Sequence, residues 1–480
     1  MIKASGRAIA VICLGVGVAS GAEASTLVNL HGGPLALDVR GLSPDARSLS
    51  SGASLDLNLP AVTMQLQASA SVGGDQADND LWRKQGAQLK ANWSALYGTN
   101  FEVTGTDHLA LIYRAPASIG DPGTATHLVH TESRTAALTA SFSPVSQVQV
   151  KVGADGSSAL TQDTSVKGPV NGSQTAVQSN TQEVFAHVDW QPVDWAAVQA
   201  GAAEQSSNIV WRSQTAHTSV FNALEPHLAM MLTPWSGTEW AASVEHSVSP
   251  YDTAAFSAYA SVARSADNVN FEPDHAWTFQ TRLKQNLGPA TVTAAYTADR
   301  WGTATEFAEV RGGVQAPAST PLEGRDKVAL TVSLPLGLFG MPNTSVSSGA
   351  AWQNSSVLDP VTEELRRASG ETPRKFSLRL VRNLPARHLS LGLTGELDDT
   401  TTSYQLSEIS TVPAGGTLGA FLAYKPGPFE VDLNVNGLCG GPPAATDFFY
   451  NGTRANPQMA RTEVQPSPGP AFNLSLHRAL

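Results

Sequence analysis

Cysteine is nearly missing from this chain. Of 480 residues only Cys13 and Cys439 are cysteines, and Cys13 lies in an N-terminal stretch that reads as an export signal, so no intrachain disulfide can hold the mature chain. Charge is also sparse, at 15% of residues, with a net of -11. A chain of that sign without a block of Lys and Arg is not built to neutralise phosphates, which excludes a nucleic-acid partner. Long apolar runs are absent beyond the first 24 residues. The nearest, "VALTVSLPLGLFGM" from Val328, is broken by proline and glycine, so no helix is set up to span a bilayer. With 41% apolar residues the chain is too greasy to be disordered, yet it lacks the Glu, Lys and Leu richness of a helical enzyme.

What is present begins with the signal. Lys3 and Arg7 form a basic start, "AIAVICLGVGVA" supplies the apolar core, and Ala22-Glu23-Ala24 gives a small-residue cleavage site. Residues 1–24 are therefore expected to be a signal peptide, with Ala22 and Ala24 marking the cut. A lipoprotein reading of Cys13 fails because the bulky Ile12 precedes it.

The rest of the chain is dominated by strict alternation. In "RKFSLRL" Phe376, Leu378 and Leu380 share one face and Lys375, Ser377 and Arg379 the other. After Pro385, Leu389, Leu391 and Leu393 oppose Ser390, Gly392 and Thr394. Successive side chains of a strand point to opposite faces, so this is a hairpin with one greasy and one wet side. "VALTVSL" (328–334), "FEVDLNV" (429–435), "QVQVKV" (147–152) and "LDLNL" (55–59) repeat the pattern.

The connections show what the greasy side faces. Short breaks at 60–61, 97–100, 143–146, 191–194, 234–238, 287–289, 335–342, 384–387 and 425–428 alternate with long polar stretches. Those run over 72–86, 114–133, 154–181, 205–224, 249–273, 299–325, 354–373, 398–415 and 438–470. Compact domains rarely hold so many long loops, whereas an outer-membrane barrel has short periplasmic turns and long extracellular loops. Counting hairpins, with "PLALDVRG" (34–41) as an early strand and "FNLSLHRAL" as the last, gives about 20 strands, within 18–22. The expected fold is an all-β transmembrane antiparallel up-and-down β-barrel. Residues 25–50 hold a first strand or plug vestige, and residues 51–480 form the barrel.

Aromatics cluster beside the short turns: Trp190, Trp195, Trp235, Trp240, Tyr424 and Phe429 are candidates for an interfacial belt, although aromatics also cap soluble β-sandwich cores. The closing segment alternates to its end through Phe472, Leu474, Leu476 and Leu480, interrupted by Arg478. It is similar to the strand by which outer-membrane assembly machinery recognises barrels; a plain edge strand would look the same.

From about Leu224 onward the sequence resembles the C-terminal barrel half of alphaproteobacterial TonB-dependent receptors. The segments that carry this are "EPHLAMMLTPWSGTEWAASVEHSVS", "KFSLRLVRNLPARHLSLGLTGELDDTTTSYQLSEISTVPAGGTLGAFLAYKP" and "FEVDLNVNGLCGG". Asn436-Gly437-Leu438 stands where such receptors carry a Gly-Asn-Leu type motif, with the order changed, and residues 50–155 resemble earlier strands more loosely. The resemblance implies solute uptake or passage, and partners that are outer-membrane lipid, the assembly machinery, and either the TonB complex or a separate plug protein. Family members have an N-terminal plug of well over a hundred residues; only about thirty separate the cleavage site from the first clear hairpin here, so a chain without its own plug is expected.

Enzyme, metal and cofactor chemistry find no purchase. "HGGP" at 31–34 is similar to a lipase oxyanion loop but lacks a following G-x-S-x-G turn. There is no H-E-x-x-H and no paired C-x-x-C. Asp75, Asp78 and Asp80 lack the Gly and Glu of a Ca²⁺ loop, and Asp398-Asp399 opens another polar loop. His227 and His246 flank one hairpin and read as ordinary strand polars rather than ligands. Lys375, Arg379, Glu430 and Asp432 either line a polar path or pair with one another across a wet interior. No catalytic, cofactor or metal residue is assigned. The competing reading is a secreted or periplasmic β-rich binding or adhesion protein with no membrane contact.

Overall fold

The computed structural model describes residues 27–30, 33–38, 48–59, 62–75, 80–94, 99–114, 126–167, 171–213, 216–262, 271–311, 314–425, 427, 429–438, 444–455, 459–464 and 471–478. Nearly all of them are strand. One antiparallel sheet has 23 strands, and a second, of four strands, is built from the connections at one end. Setting aside the short members Leu27–Leu30 and Gly33–Asp38, the hairpin arm Gly302–Arg311 and the two-residue Leu365–Arg366 leaves 19 strands. Each pairs with the long strand before and after it, from Ser48–Leu59 against Val62–Asp75 to Phe429–Asn436 against Ala471–Arg478. Gly33–Asp38 also joins the sheet, against Ser48–Leu59. This up-and-down order is that of the expected outer-membrane β-barrel.

The register sorts the residues by face. One row across six strands reads Val150, Val188, Ala200, Leu228, Val244, Phe279. Move each strand by one residue and the row becomes Lys151, His187, Gly201, His227, Glu245, Thr278, continuing into Asp299 and Arg325. A single-residue slip would exchange the two faces, so the alternation fixes the register. The apolar face is the exposed one: Val184 is 63%, Leu224 62% and Leu228 50% accessible. Each such side chain gains about 1.5–3 kcal/mol on moving from water to hydrocarbon. The face is therefore a lipid surface, which a water-soluble sandwich would instead have folded inward.

At the short-turn end the expected hairpins are present where residues are described. Val193 pairs with Ala196, Leu287 with Ala290 and Leu384 with Leu389. Gly288, at φ 64, supplies the left-handed backbone of the two-residue Leu287–Ala290 turn.

The long-connection end departs from expectation. The stretches taken as loops at 72–86, 154–181 and 205–224 are mostly strand, because Val148–Lys167 pairs with Asn171–Val193 and Ala196–Arg212 with Ala216–Leu232 along their full length. Ser, Thr, Asn and Gln there lack apolar alternation, which hides the strands in the sequence. Pairing still satisfies their backbone, and side-chain ladders add to it. Asn180 Nδ2 donates to Asn208 Oδ1 at 2.9 Å, and Thr106 and Thr135 hydroxyls meet at 2.6 Å. The stretches 398–415 and 438–470 supply the second sheet, Thr401–Tyr404, Glu408–Val412, Thr446–Tyr450 and Met459–Val464.

Candidate functional site

The connection between Thr238–Val248 and His275–Leu287 turns into the mouth of the sheet. It carries a helix, Thr253–Val262, started by Asp252, whose Oδ1 accepts a hydrogen bond from the Ala255 backbone N at 2.9 Å. Phe256, Tyr259 and Ala260 sit at helical i, i+3, i+4 spacing, so they share a face. That face meets Tyr251 and Phe271 of the same connection, then Val177, Ile209 and Trp211 of the wall. Ile209 and Trp211 follow Gly201 at every second position of Ala196–Arg212, so they belong to the inner, polar-row face. Phe256 is 1% and Ile209 0% exposed, so this is a closed apolar contact between loop and inner wall. Ser219 fastens it, its Oγ 2.8 Å from the Tyr251 hydroxyl and donating to the Phe271 carbonyl at 3.1 Å. Burial pushes the Tyr251 hydroxyl above its ordinary pKa. The helix also touches Val314–Pro335, so it reaches between separate parts of the wall.

Beside it four of the other outer connections are tied by one network of charges centred on Asp359. Asp359 accepts from Arg454 Nη1 at 2.6 Å and Nη2 at 3.0 Å, from Arg366 Nε at 2.6 Å and from the Val361 backbone N at 2.8 Å. Arg366 continues to Glu306 Oε2 at 2.8 Å, and Glu306 Oε1 accepts from the Ser369 N at 2.7 Å. The Tyr404 ring lies under both guanidinium groups, 4.1 Å from Arg366 and 5.4 Å from Arg454. Arg454 Nε donates to the Gln405 carbonyl. Asp359 and Arg454 are almost fully buried, and every charge has an opposite partner. Burial alone would raise the Asp359 pKa; the hydrogen bonds from Arg454 and Arg366 outweigh it and hold the carboxyl well below the usual range.

Below the mouth the inner wall is polar. Gly201 leaves a gap in which the rings of His187 and His227 meet at 4.6 Å, with Phe185 stacked on His187 at 4.8 Å. A Cβ at 201 would lie 2.5 Å from His187 Nδ1 and 2.5 Å from the Ala186 carbonyl oxygen, so only glycine fits. One row towards the short turns, Asp189 accepts from Gln199 Nε2 of its own row and from Lys151 Nζ of the His187 row, both at 2.8 Å. Gln149, Asp189, Gln199, Ser243, Gln280 and Arg282 line a cleft of about 650 Å³ there. Among the described residues no group of three or more His, Cys, Asp or Glu side chains could hold a metal ion. His227 and His246 lie on opposite faces; His246 instead meets His275 and Trp277 at ring distances of 5.8 and 5.6 Å.

The residues singled out from the sequence fall as follows. Trp190, Trp240, Tyr424 and Phe429 are exposed and in register with Val148, Leu232, Leu389 and Arg478, while Trp195 and Trp235 stand exposed in turns. Phe472 and Leu474 are exposed in the last strand, and Leu476 is paired with Val431. Leu480, Ala22 and Ala24 lie outside the described residues. Lys375, Arg379, Glu430 and Asp432 share the inner-face register; Arg379 sits 5.1 Å from the Phe421 ring, and Glu430 pairs with Lys425 at 2.6 Å. Sequence reasoning missed the Asp359 network, whose partners are up to 95 residues apart, and the helix. The Phe256, Tyr259, Ala260 spacing after Asp252 was the signal that would have found the helix.

Comparison with solved structures settles the fold. The ferric citrate transporter FecA, unliganded, superposes with a TM-score of 0.62 at 12% identity over 92% of this chain and 72% of its own. This chain has the barrel fold of TonB-dependent receptors. The copper transporter OprC gives a TM-score of 0.64 at 11% identity over 95% of this chain and 77% of its own. The siderophore receptor PiuA from Acinetobacter baumannii gives 0.60 at 13%, covering 95% and 75%. No protein-family profile and no curated protein matches the sequence. A barrel of this kind with a lipid-facing apolar surface belongs in the bacterial outer membrane. The short turns of a TonB-dependent receptor barrel are periplasmic and its long connections extracellular, which orients the mouth outward.

Proposed function

We propose that the protein passes a small polar solute across the outer membrane, with the helix Thr253–Val262 and Phe271 as the gate in its mouth. The observation that carries this is the apolar packing of Phe256 and Phe271 onto Ile209 and Trp211 of the inner wall, above a wall of amides and paired charges. Such a wall suits a hydrated solute, and a packed loop suits a path that is shut at rest. Two features favour a barrel that works without a plug of its own. Gly33–Asp38 is used as a strand of the sheet, and the mouth has its own inward element. Among the solved proteins of this fold are an iron transporter, a copper transporter and a siderophore receptor. The amides and paired charges of the inner wall below the mouth suit a polar solute here.

Planar-bilayer recording tests the proposal. The native chain is expected to be closed or nearly so, and a chain with Thr253–Val262 replaced by a short Gly-Ser linker is expected to give discrete conductance steps. Silence from both, with the folded form verified by heat-modifiable gel mobility, overturns conduction. Coupling to the TonB complex through a separate plug-bearing protein forms part of the same reading, and co-purification from outer membranes tests it.

A further inference from the structure

On the lipid-facing side of the hairpin Arg374–Leu384 and Leu389–Asp398, close to the periplasmic turn, lies a groove of about 610 Å³. Met341, Leu380, Leu391, Leu393, Leu422 and Leu433 line it, and its single charged lining residue is Arg382. The register places Arg382 on the outward face, between Thr344 and Leu391, one outward position further from the turn than the row of Leu384, Leu389 and Tyr424. On the Leu391 side the row in which it stands is all leucine, running Leu391, Leu422, Leu433, Leu474. Outward-facing Arg300 and Arg374 stand at the extracellular end of their strands, paired to Asp326 at 2.6 Å and Asp399 at 2.7 Å. Arg382 is exposed and has no ion-pair or hydrogen-bond partner among the described residues, and the same holds for Arg387 in the turn of the same hairpin.

A guanidinium next to hydrocarbon is costly unless it reaches the headgroup layer and finds an anion there. The groove supplies the other half of an amphiphile's requirement, an apolar trough opening beside that cation. We infer that this is a binding site for an anionic glycerophospholipid of the periplasmic leaflet. One acyl chain lies along Leu380, Leu391, Leu393 and Leu433, and the phosphate is held by Arg382, with Arg387 adding positive potential at the rim. Arginine suits the task because its planar fork can grip a phosphate with two parallel hydrogen bonds. The inference rests on the outward face being embedded in lipid and is independent of what the barrel transports.

The test uses the full chain purified in a mild non-ionic detergent and titrated with phosphatidylglycerol, phosphatidylcholine or inorganic phosphate, with bound lipid counted by native mass spectrometry. Expected is one retained phosphatidylglycerol per chain, at least fivefold preferred over phosphatidylcholine and not displaced by millimolar inorganic phosphate. Arg382→Gln should abolish the preference, Arg382→Lys should keep part of it, and Ala420→Phe, which fills the trough from the outward face, should lower retention of both lipids. Equal retention of the two lipids by the native chain, or an unchanged preference in Arg382→Gln, overturns the inference. So does displacement by inorganic phosphate, which would mean that the trough contributes nothing. A chain that stays monodisperse without detergent would instead overturn the membrane reading itself, so the two failures are told apart.

Discussion

Replacing Phe256 by alanine should open the mouth. The ring is 1% exposed and lies 5.5 Å from the Phe271 ring, 6.1 Å from Tyr259 and 6.2 Å from Tyr251. Truncating a buried Phe costs about 3–5 kcal/mol when the cavity stays unfilled. Phe256 stands on a loop helix rather than in the strands, so the cost falls on loop docking and leaves strand pairing intact. At about 1.4 kcal/mol per tenfold change, even the lower figure moves the docked-to-undocked ratio by more than ~100-fold. The assay has two parts. Limited proteolysis of the detergent-solubilised barrel should cut within 249–274 in Phe256→Ala under conditions where the native chain resists. Bilayer recording should show the variant open for a far larger fraction of time. The reasoning is refuted if Phe256→Ala is cut no faster than the native chain or than Phe256→Leu, which keeps a smaller apolar side chain in the contact.

The remaining predictions address the outer connections, the wall and the belt. Asp359→Asn leaves Arg454 buried without its counter-charge and Arg366 with Glu306 alone, an effect of about 3–5 kcal/mol, and should make the 438–470 connection trypsin-sensitive at neutral pH. Because the Asp359 pKa is depressed in the folded state, its stabilisation is present above the unfolded value near ~3.9 and is lost only as pH falls through the lower folded value. The native connection should therefore resist acid-stable protease at pH 5 and loosen only in stronger acid, and early loosening at pH 5 would contradict that sign. Gly201→Val sets a side chain against the Ala186 carbonyl and the two imidazoles, and should block assembly, read as loss of the heat-modifiable gel form. Trp240→Ala should keep the heat-modifiable gel form that Gly201→Val loses and only lower the melting temperature in lipid nanodiscs, since Trp240 faces outward and leaves the wall packing untouched.

The spanning part of the fold was legible because its signal is local. Phe376, Leu378 and Leu380 report their face within five residues, and the turn at Pro385 reports the reversal. Nothing comparable marks Ser157, Thr181 and Ser207, which pair in register with one another and whose hydroxyl side chains carry no apolar alternation. The Asp359 network is illegible for another reason. Each member alone is an ordinary loop charge, and only the fold brings residues 306, 359, 366 and 454 within hydrogen-bond reach. The His187 and His227 contact was hidden similarly, since it depends on an intervening strand contributing a glycine at the right register.

That one buried network of charges joins four outer segments bears on how the cell surface presents this protein. An antibody or phage tip that grips any one of them meets a shape set by all the others, so its epitope exists only in the assembled molecule. Sequence drift in one segment is then felt by its neighbours, and escape variants should arise as paired changes rather than single ones.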